Sequence, residues 1–580
     1  MTEGTPIWFG PDERPLFGWV HAPDNGRSDG AVVLCPPLAR ELTSAHFAYR
    51  RLARALAAAG LTAVRFDYDG TGDSAGDDDD PDRLGAWLAS VDEAIALARR
   101  TGAERVSLVG MRIGALLALR AGACNEVSAA VLWDPCSSGR RFLKEQRAMY
   151  LVNYGSDDRP AVDAGPDQPV ELPGYRYTAE TAGQIQALTA PAPGAPTPPR
   201  LLVLTRRGRR PAPDLAAGLA AAAVEWEEID GQDELLDVEP LRQRLPDATI
   251  DRITAWLRDA TLPSDRPVTV PASGDARVAA PGGITVVERA RRLGEVGLFG
   301  IETAPADGSH LGPTVLMLTA GNDWHAGPNR LWVVLARRWA ALGVRSLRFD
   351  ASGLGDSPVR PGQPEHVVRA PEAFDDVAIA AESVEPDDPS NVVLLGLCSG
   401  GYQALDSALA LLPRAALSVN PVLRFNPPEA ATGAVDPRRR IHLPIGTLGR
   451  VVRRRGPVAL RRLARVLGWW ATNRLRPGGP ASWLGELVAG GVDVLCICGE
   501  HEGRQLLEGS RRSVDRLAAT GRLRVDVVAG LDHALLPWEQ REAIADILTR
   551  HLVDHVLVAG GGCGSATPAP RRREPAGVRR

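Results

Sequence analysis

Apolar and polar positions along this chain switch between two periods, and the same succession occurs twice. Short uninterrupted apolar runs at Ala31–Cys35 and Thr314–Leu318 have the length of buried strands. Each leads through a loop into a segment with apolar residues every three to four positions, LARALAAAG (52–60) and LARRWAALG (335–343), which predicts an amphipathic helix. A strand ending in Arg-Phe-Asp follows, then a Gly-rich turn, a second helix, and an apolar strand that runs into a G-x-x-x-G turn. Strands alternating with helices of this length predict parallel sheets covered on both faces.

The two passes are copies of one another. LARALAAAG and LARRWAALG, and likewise RFDYDGTGDS (65–74) and RFDASGLGDS (348–357), are each 283 residues apart. LFG at 16–18 and 298–300 lies within one residue of that offset. VSLVGMRIG (106–114) matches VVLLGLCSG (392–400), and IDGQDELLD (229–237) matches VAGLDHALL (528–536). Internal repetition on this scale means two structural units of one kind. The expected division is a first unit at 1–258, a Pro/Ser/Asp/Gly-rich linker at 259–283, a second unit at 284–557, and a tail at 558–580 too poor in apolar residues to fold.

Composition narrows the function classes. With 580 residues, 44% hydrophobic and 24% charged, the chain is expected to be a soluble multi-domain protein. A net charge of −4 argues against a nucleic-acid binder. Lys144 is the only lysine, and with abundant Ala, Gly and Pro this points to a GC-rich bacterial coding sequence. MTEGTPIWFGPDE lacks the basic-then-apolar plan of a signal peptide, and no run of 18 apolar residues occurs, so a cytoplasmic protein without a membrane span is expected. Seven cysteines do not form a disulfide framework, and Cys496 and Cys498 on one apolar strand read as core residues. No metal-ligand cluster or dinucleotide fingerprint is evident, and GTGDSAG lacks the Lys-Ser/Thr pair of a phosphate loop, so no cofactor is expected.

The strand-turn-helix elbows, the RFDYDGTGDSAG motif and the segment SSGRRFLKEQRAMYLVNYG…LPGYRYTAET resemble the α/β-hydrolase superfamily, twice over nearly the whole chain. Within it they look like the serine-aminopeptidase-like and exosortase-associated hydrolase group. The resemblance implies an α/β fold of two fused α/β-hydrolase domains, each a mostly parallel sheet with a lid insertion. In the second copy Cys398 stands where that superfamily carries its nucleophile, between Gly396 and Gly400. The implied histidine is His533, in GLDHALLP, and the implied acid is Glu502, with Glu500 as competitor. The oxyanion donors would be the backbone N–H of Ser399 and that of Gly321 or Asn322, in TAGNDWHAG.

The first copy departs from this pattern at three stations. Arg112 occupies the nucleophile position and cannot act as one, because it stays protonated. Glu234 stands at the histidine position, and LLVLTRRGRRPAPD offers no carboxylate close to its strand. An Arg112–Glu234 ion pair filling the vacated site is expected, with capture of a ligand carboxylate or phosphate as the alternative. A degenerate unit kept beside an intact one suggests a scaffold whose lid or surface completes the second site.

The expected lids lie at about 137–190 and 423–485. The first holds Tyr150, Tyr154, Tyr175 and Tyr177, read as packing residues. Residues 421–490 carry thirteen arginines against Glu429, Asp436 and Glu486. A helix is predicted from near Pro457, with Leu463, Val466, Leu467 and Trp470 on one apolar face. The basic stretch reads as a solvated face, as a dock for an acyl-carrier protein or the phosphates of coenzyme A, or as a contact with an anionic membrane. The resemblance implies an acyl-transfer enzyme acting on an ester or thioester. Similar G-x-C-x-G enzymes include dienelactone hydrolases and polyhydroxyalkanoate synthases, so hydrolysis and transfer both have precedent. The alternative is a binding or scaffold protein built from two degenerate domains.

Overall fold

A computed structural model describes residues 3–28, 30–154, 168–209, 212–220, 222–238, 243–259, 266–368, 370, 372–422, 480–507 and 510–557. The predicted basic helix, most of the second lid, Cys563 and the 558–580 tail lie outside these residues.

The first half builds an eight-stranded sheet from β1 (Thr5–Phe9), β2 (Leu16–His21), β3 (Gly30–Cys35), β4 (Thr62–Phe66), β5 (Arg105–Met111), β6 (Ala129–Trp133), β9 (Arg200–Arg206) and β10 (Ala223–Ile229). β7 (Val170–Leu172) and β8 (Tyr175–Tyr177) form a separate hairpin in the insertion. The sheet order is β1-β2-β4-β3-β5-β6-β9-β10, with β2 antiparallel to its neighbours and the strands from β4 onward parallel.

The second half repeats the plan with β11 (Ala276–Ala280), β12 (Ile284–Leu293), β13 (Leu298–Pro305), β14 (Thr314–Met317), β15 (Ser346–Phe349), β16 (Val392–Leu397), β17 (Ala415–Val419), β18 (Asp493–Cys498) and β19 (Leu523–Val527). Their order is β11-β12-β13-β15-β14-β16-β17-β18-β19. The fold is α/β, with two mostly parallel sheets of eight and nine strands flanked by helices. Each sheet carries a separate apolar cluster on either face. Burial on both faces is why the central strands read as unbroken apolar runs.

β11 falls inside the stretch expected to be linker. Its residues alternate buried and exposed, and Ala276, Val278 and Ala280 bury against the Ile284–Leu293 strand's Val286. The residues before it are also docked: Val268 N–H donates to Gly26 O at 2.8 Å and Thr269 N–H to Thr101 O at 3.0 Å.

The repeated Arg-Phe-Asp…Gly-Asp-Ser motifs face one another across the two halves. Within each, a serine hydroxyl ties the motif together: Ser74 Oγ donates to Asp67 O at 2.7 Å and Ser357 Oγ to Asp350 O at 2.6 Å. Between them the arginines cross over. Arg65 pairs with Asp356 at 2.6 Å, and Arg348 pairs with Asp73. His325 bridges the halves, with Nδ1 2.7 Å from Asp350 and Nε2 2.7 Å from Asp73. Burial alone would push the imidazole down, but the two carboxylates outweigh it and raise it to about 10. Phe17, Trp19, Phe299 and Ile301 form an apolar cluster beside these charges.

Among the described residues one group has ligating atoms within 4.8 Å of one another, namely His325, Asp350 and Asp356. It lies in this interface, where His325, Arg65 and the main chain already engage these donors. No helix among the described residues is long and apolar enough to cross a membrane.

Candidate active site

Both elbows adopt the same strained backbone. Cys398 sits at φ 56°, ψ −116° between β16 and the helix Ser399–Leu411. Arg112 sits at φ 55°, ψ −122° between β5 and the helix Ile113–Cys124. Such a conformation costs of order 1–3 kcal/mol for a non-glycine residue and persists only where the surroundings impose it. The flanking glycines allow it: a Cβ at Gly396 would lie 2.2 Å from the Gly400 carbonyl, and one at Gly400 2.6 Å from Thr319 O.

His533 lies on the loop between β19 and the helix Trp538–His551. Its Nδ1 is 2.9 Å from Glu502 Oε1, at the start of the helix Glu500–Leu507. Glu502 is buried, whereas Glu500 is exposed. The His533 imidazole is pushed up to about 9, chiefly by a side-chain hydrogen bond with Cys398; burial opposes the shift and Glu502 adds to it. The fold therefore brings Cys398, His533 and Glu502 together and leaves Glu500 aside.

Ser399 begins the elbow helix, where the first N–H groups have no intrahelical acceptor. The Gly321 N–H donates to Ser399 Oγ at 2.8 Å, so this backbone donor meets a hydroxyl rather than an empty pocket. Asn322 follows on the same turn.

Asn420, just after β17, was not singled out from sequence. Its Nδ2 donates to Asp532 O at 3.0 Å and His533 O at 3.1 Å, and its Oδ1 accepts from Gly499 N–H at 2.7 Å. One side chain thus ties the histidine loop to the end of the strand leading to Glu502. The signal was available: Asn420-Pro421 after LSV matches Asp134-Pro135 after VLW at 286 residues, the elbow offset itself.

The first copy's station is filled by charge, and not as expected. Arg112 pairs with Glu41 at 3.1 Å, Asp134 at 3.4 Å and Glu145. Glu41 also accepts from Gln146 at 2.9 Å. The expected Arg112–Glu234 pair is absent. The short helix Gln232–Leu236 buries Gln232, Leu235 and Leu236, which turns Glu234 outward, 3.9 Å from Arg244. At the acid station Arg206 pairs with Asp134 at 2.7 Å and with Asp233 and Asp237. Arg112 is therefore engaged by protein carboxylates on three sides. Burial pushes the adjacent Cys136 thiol up, so it is held protonated.

Tyr175 and Tyr177 pack into the first core, and Tyr150 Oη donates to Glu171 at 2.7 Å. The Tyr154 side chain lies outside the described residues, and Cys496 and Cys498 are buried in β18.

No family model and no curated protein matches the chain. Solved structures similar to part of it include a serine hydrolase without lid from Xanthomonas campestris, 18% identical, covering 45% of this chain and 94% of that one, with a TM-score of 0.27. The protein Est1E from Butyrivibrio proteoclasticus is 11% identical over 44% of this chain and 97% of its own, with a TM-score of 0.30. An esterase from Pyrobaculum calidifontis is 19% identical over 47% of this chain and 86% of its own, with a TM-score of 0.28.

Proposed function

We propose that the second half is an acyl-transfer enzyme acting on an ester or thioester, with Cys398 as nucleophile, and that the first half is a pseudo-hydrolase scaffold. The observation that carries this reading is the strained elbow at Cys398, with the His533 imidazole raised chiefly by Cys398 and tied through Nδ1 to Glu502 at 2.9 Å. The thiol proton passes to His533 and the sulfur attacks the substrate carbonyl carbon, forming a C–S bond. The Ser399 N–H and, with the Gly321 N–H already given to Ser399 Oγ, the Asn322 N–H are the donors assigned to the developing oxyanion. Ser399 Oγ, having accepted the Gly321 hydrogen, retains its own hydrogen to donate.

Collapse breaks the bond to the leaving alcohol or thiol, which takes the proton from His533. Water or an acceptor hydroxyl, amine or thiol then attacks the acyl-cysteine, giving its proton to His533 and freeing the thiolate. An acyl-carrier protein or acyl-coenzyme A docking on the basic stretch of 421–490 remains part of this reading.

Treatment with a p-nitrophenyl ester, followed by peptide mass spectrometry, tests it. An acyl adduct on Cys398 that His533→Ala suppresses is expected. No adduct, or one indifferent to His533→Ala, would leave a non-catalytic binding protein as the reading.

A further inference from the structure

Cys398, His533 and Glu502 all belong to the second half, yet the loops around them rest on the first. The β7–β8 hairpin turns at Pro173-Gly174, and Gly174 N–H donates to Leu536 O at 2.8 Å, three residues beyond His533. Gly174 has φ +81°, and a Cβ there would lie 2.1 Å from Asn329 Oδ1. Asn329 in turn donates through Nδ2 to Ala534 O at 3.3 Å and Leu535 O at 3.2 Å, the carbonyls immediately after His533. Arg541 Nη1 donates to Asn329 O at 3.0 Å and lies 3.9 Å from Asp78 of the first half. The Arg176 guanidinium of the hairpin stacks over Trp538 at 4.6 Å.

The loop that follows Gly321 and Asn322 is seated the same way. The Trp324 ring stacks on His46 at 4.5 Å, and Arg330 donates to Gly72 O at 2.8 Å, Ser74 O at 2.8 Å and Gly76 O at 3.0 Å.

The histidine loop needs such support. It has left the sheet, and Leu535 is held at φ 55°. Upstream of and at His533, Asn420 of the second half grips the carbonyls. Downstream, the grip is Asn329 wedged under Gly174.

Resting on the reading of Cys398 as nucleophile, we infer that the first half is a built-in positioning subunit, in which the Gly174 turn, through Asn329, holds the His533 loop in register with Cys398 and Glu502. Gly174 and Asn329 are positioning residues; neither reaches the reacting atoms.

The test uses the full chain. Gly174→Ala, Asn329→Gly, their double variant, His533→Ala and the control Glu234→Ala are compared by p-nitrophenyl ester turnover and by the pH profile of Cys398 alkylation with iodoacetamide. Gly174→Ala should lower kcat about 10- to 100-fold, as displacements near 1 Å do, with KM little changed. Its alkylation profile should move toward that of His533→Ala. Asn329→Gly, at a residue already at φ 50°, removes the amide without backbone strain and should act in the same direction. Gly174→Ala should cost less in the Asn329→Gly background, because the atom it strikes is gone.

Wild-type kcat and profile in both single variants, or strictly additive losses in the double variant, would overturn the inference while leaving the nucleophile reading standing. Alkylation indifferent to His533→Ala would overturn both. Glu234→Ala should match wild type.

Discussion

Arg112 and Cys398 stand 286 residues apart in sequence, on turns whose dihedral angles differ by only a few degrees. Around Cys398 the neighbours are a histidine and one carboxylate, with the thiol half-buried. Around Arg112 they are Glu41, Asp134 and Glu145, closed over a buried guanidinium. The backbone strain is thus kept in both copies, while the side chains suited to chemistry stand in only one. An elbow is a scaffold property first, and a strained turn does not by itself mark an active site. What marks it is whether the next side chains out can exchange a proton with it.

The contrast can be broken by experiment. Cys398→Ala should abolish the acyl adduct altogether; an adduct persisting on another residue would remove the difference between the two elbows. His533→Ala should lower ester turnover by about 10²- to 10⁴-fold, read from initial rates on correctly folded protein. Glu502→Gln should cost less and leave a sharper signature. The carboxylate is one cause of the raised His533 pKa, so its loss lets the value fall from about 9 toward the ordinary 6.5. A raised histidine keeps its proton below the raised value and loses it as pH climbs through it. Because His533 must be unprotonated to take the thiol proton, the rising, acidic limb of the pH–rate profile should move to lower pH in Glu502→Gln.

Arg112→Met should leave turnover per folded molecule unchanged but strand buried Glu41 without its cation, while Asp134 keeps Arg206. The expected loss is about 3 kcal/mol, a fall in unfolding midpoint of roughly 5–10 °C by calorimetry. Glu234→Ala should change stability by less than about 0.5 kcal/mol, since Glu234 faces solvent.

The duplicated α/β plan was legible because strands buried on both faces leave unbroken apolar runs, and because both elbows need glycine at fixed spacing. Cys398, His533 and Glu502 were named from the stations that the resemblance implies, and His533 lies 2.9 Å from Glu502. Glu234 was misplaced for a physical reason. Matching by offset puts it at the histidine station, but offset carries no information on which way a five-residue helix turns its side chains. Glu41 and Glu145 act through contacts distant in sequence, which leave no local pattern, whereas Asn420 was marked only by its match to Asp134. β11 was hidden by the Pro- and Gly-rich stretch around it. The Arg-Phe-Asp…Gly-Asp-Ser motif was seen twice without its meaning: that the two copies complete each other could be read only once they were face to face.

That crossing of arginines has a consequence during biosynthesis. Arg65 and Asp73 emerge from the ribosome early, but their partners Asp356 and Arg348 are encoded 291 and 275 residues later. At a synthesis rate of about 5–20 residues per second, the nascent first half waits roughly 15–60 s with Phe17, Trp19 and two charges uncovered. During that interval it presents to solvent a sticky, half-finished seam that its own later sequence is shaped to close.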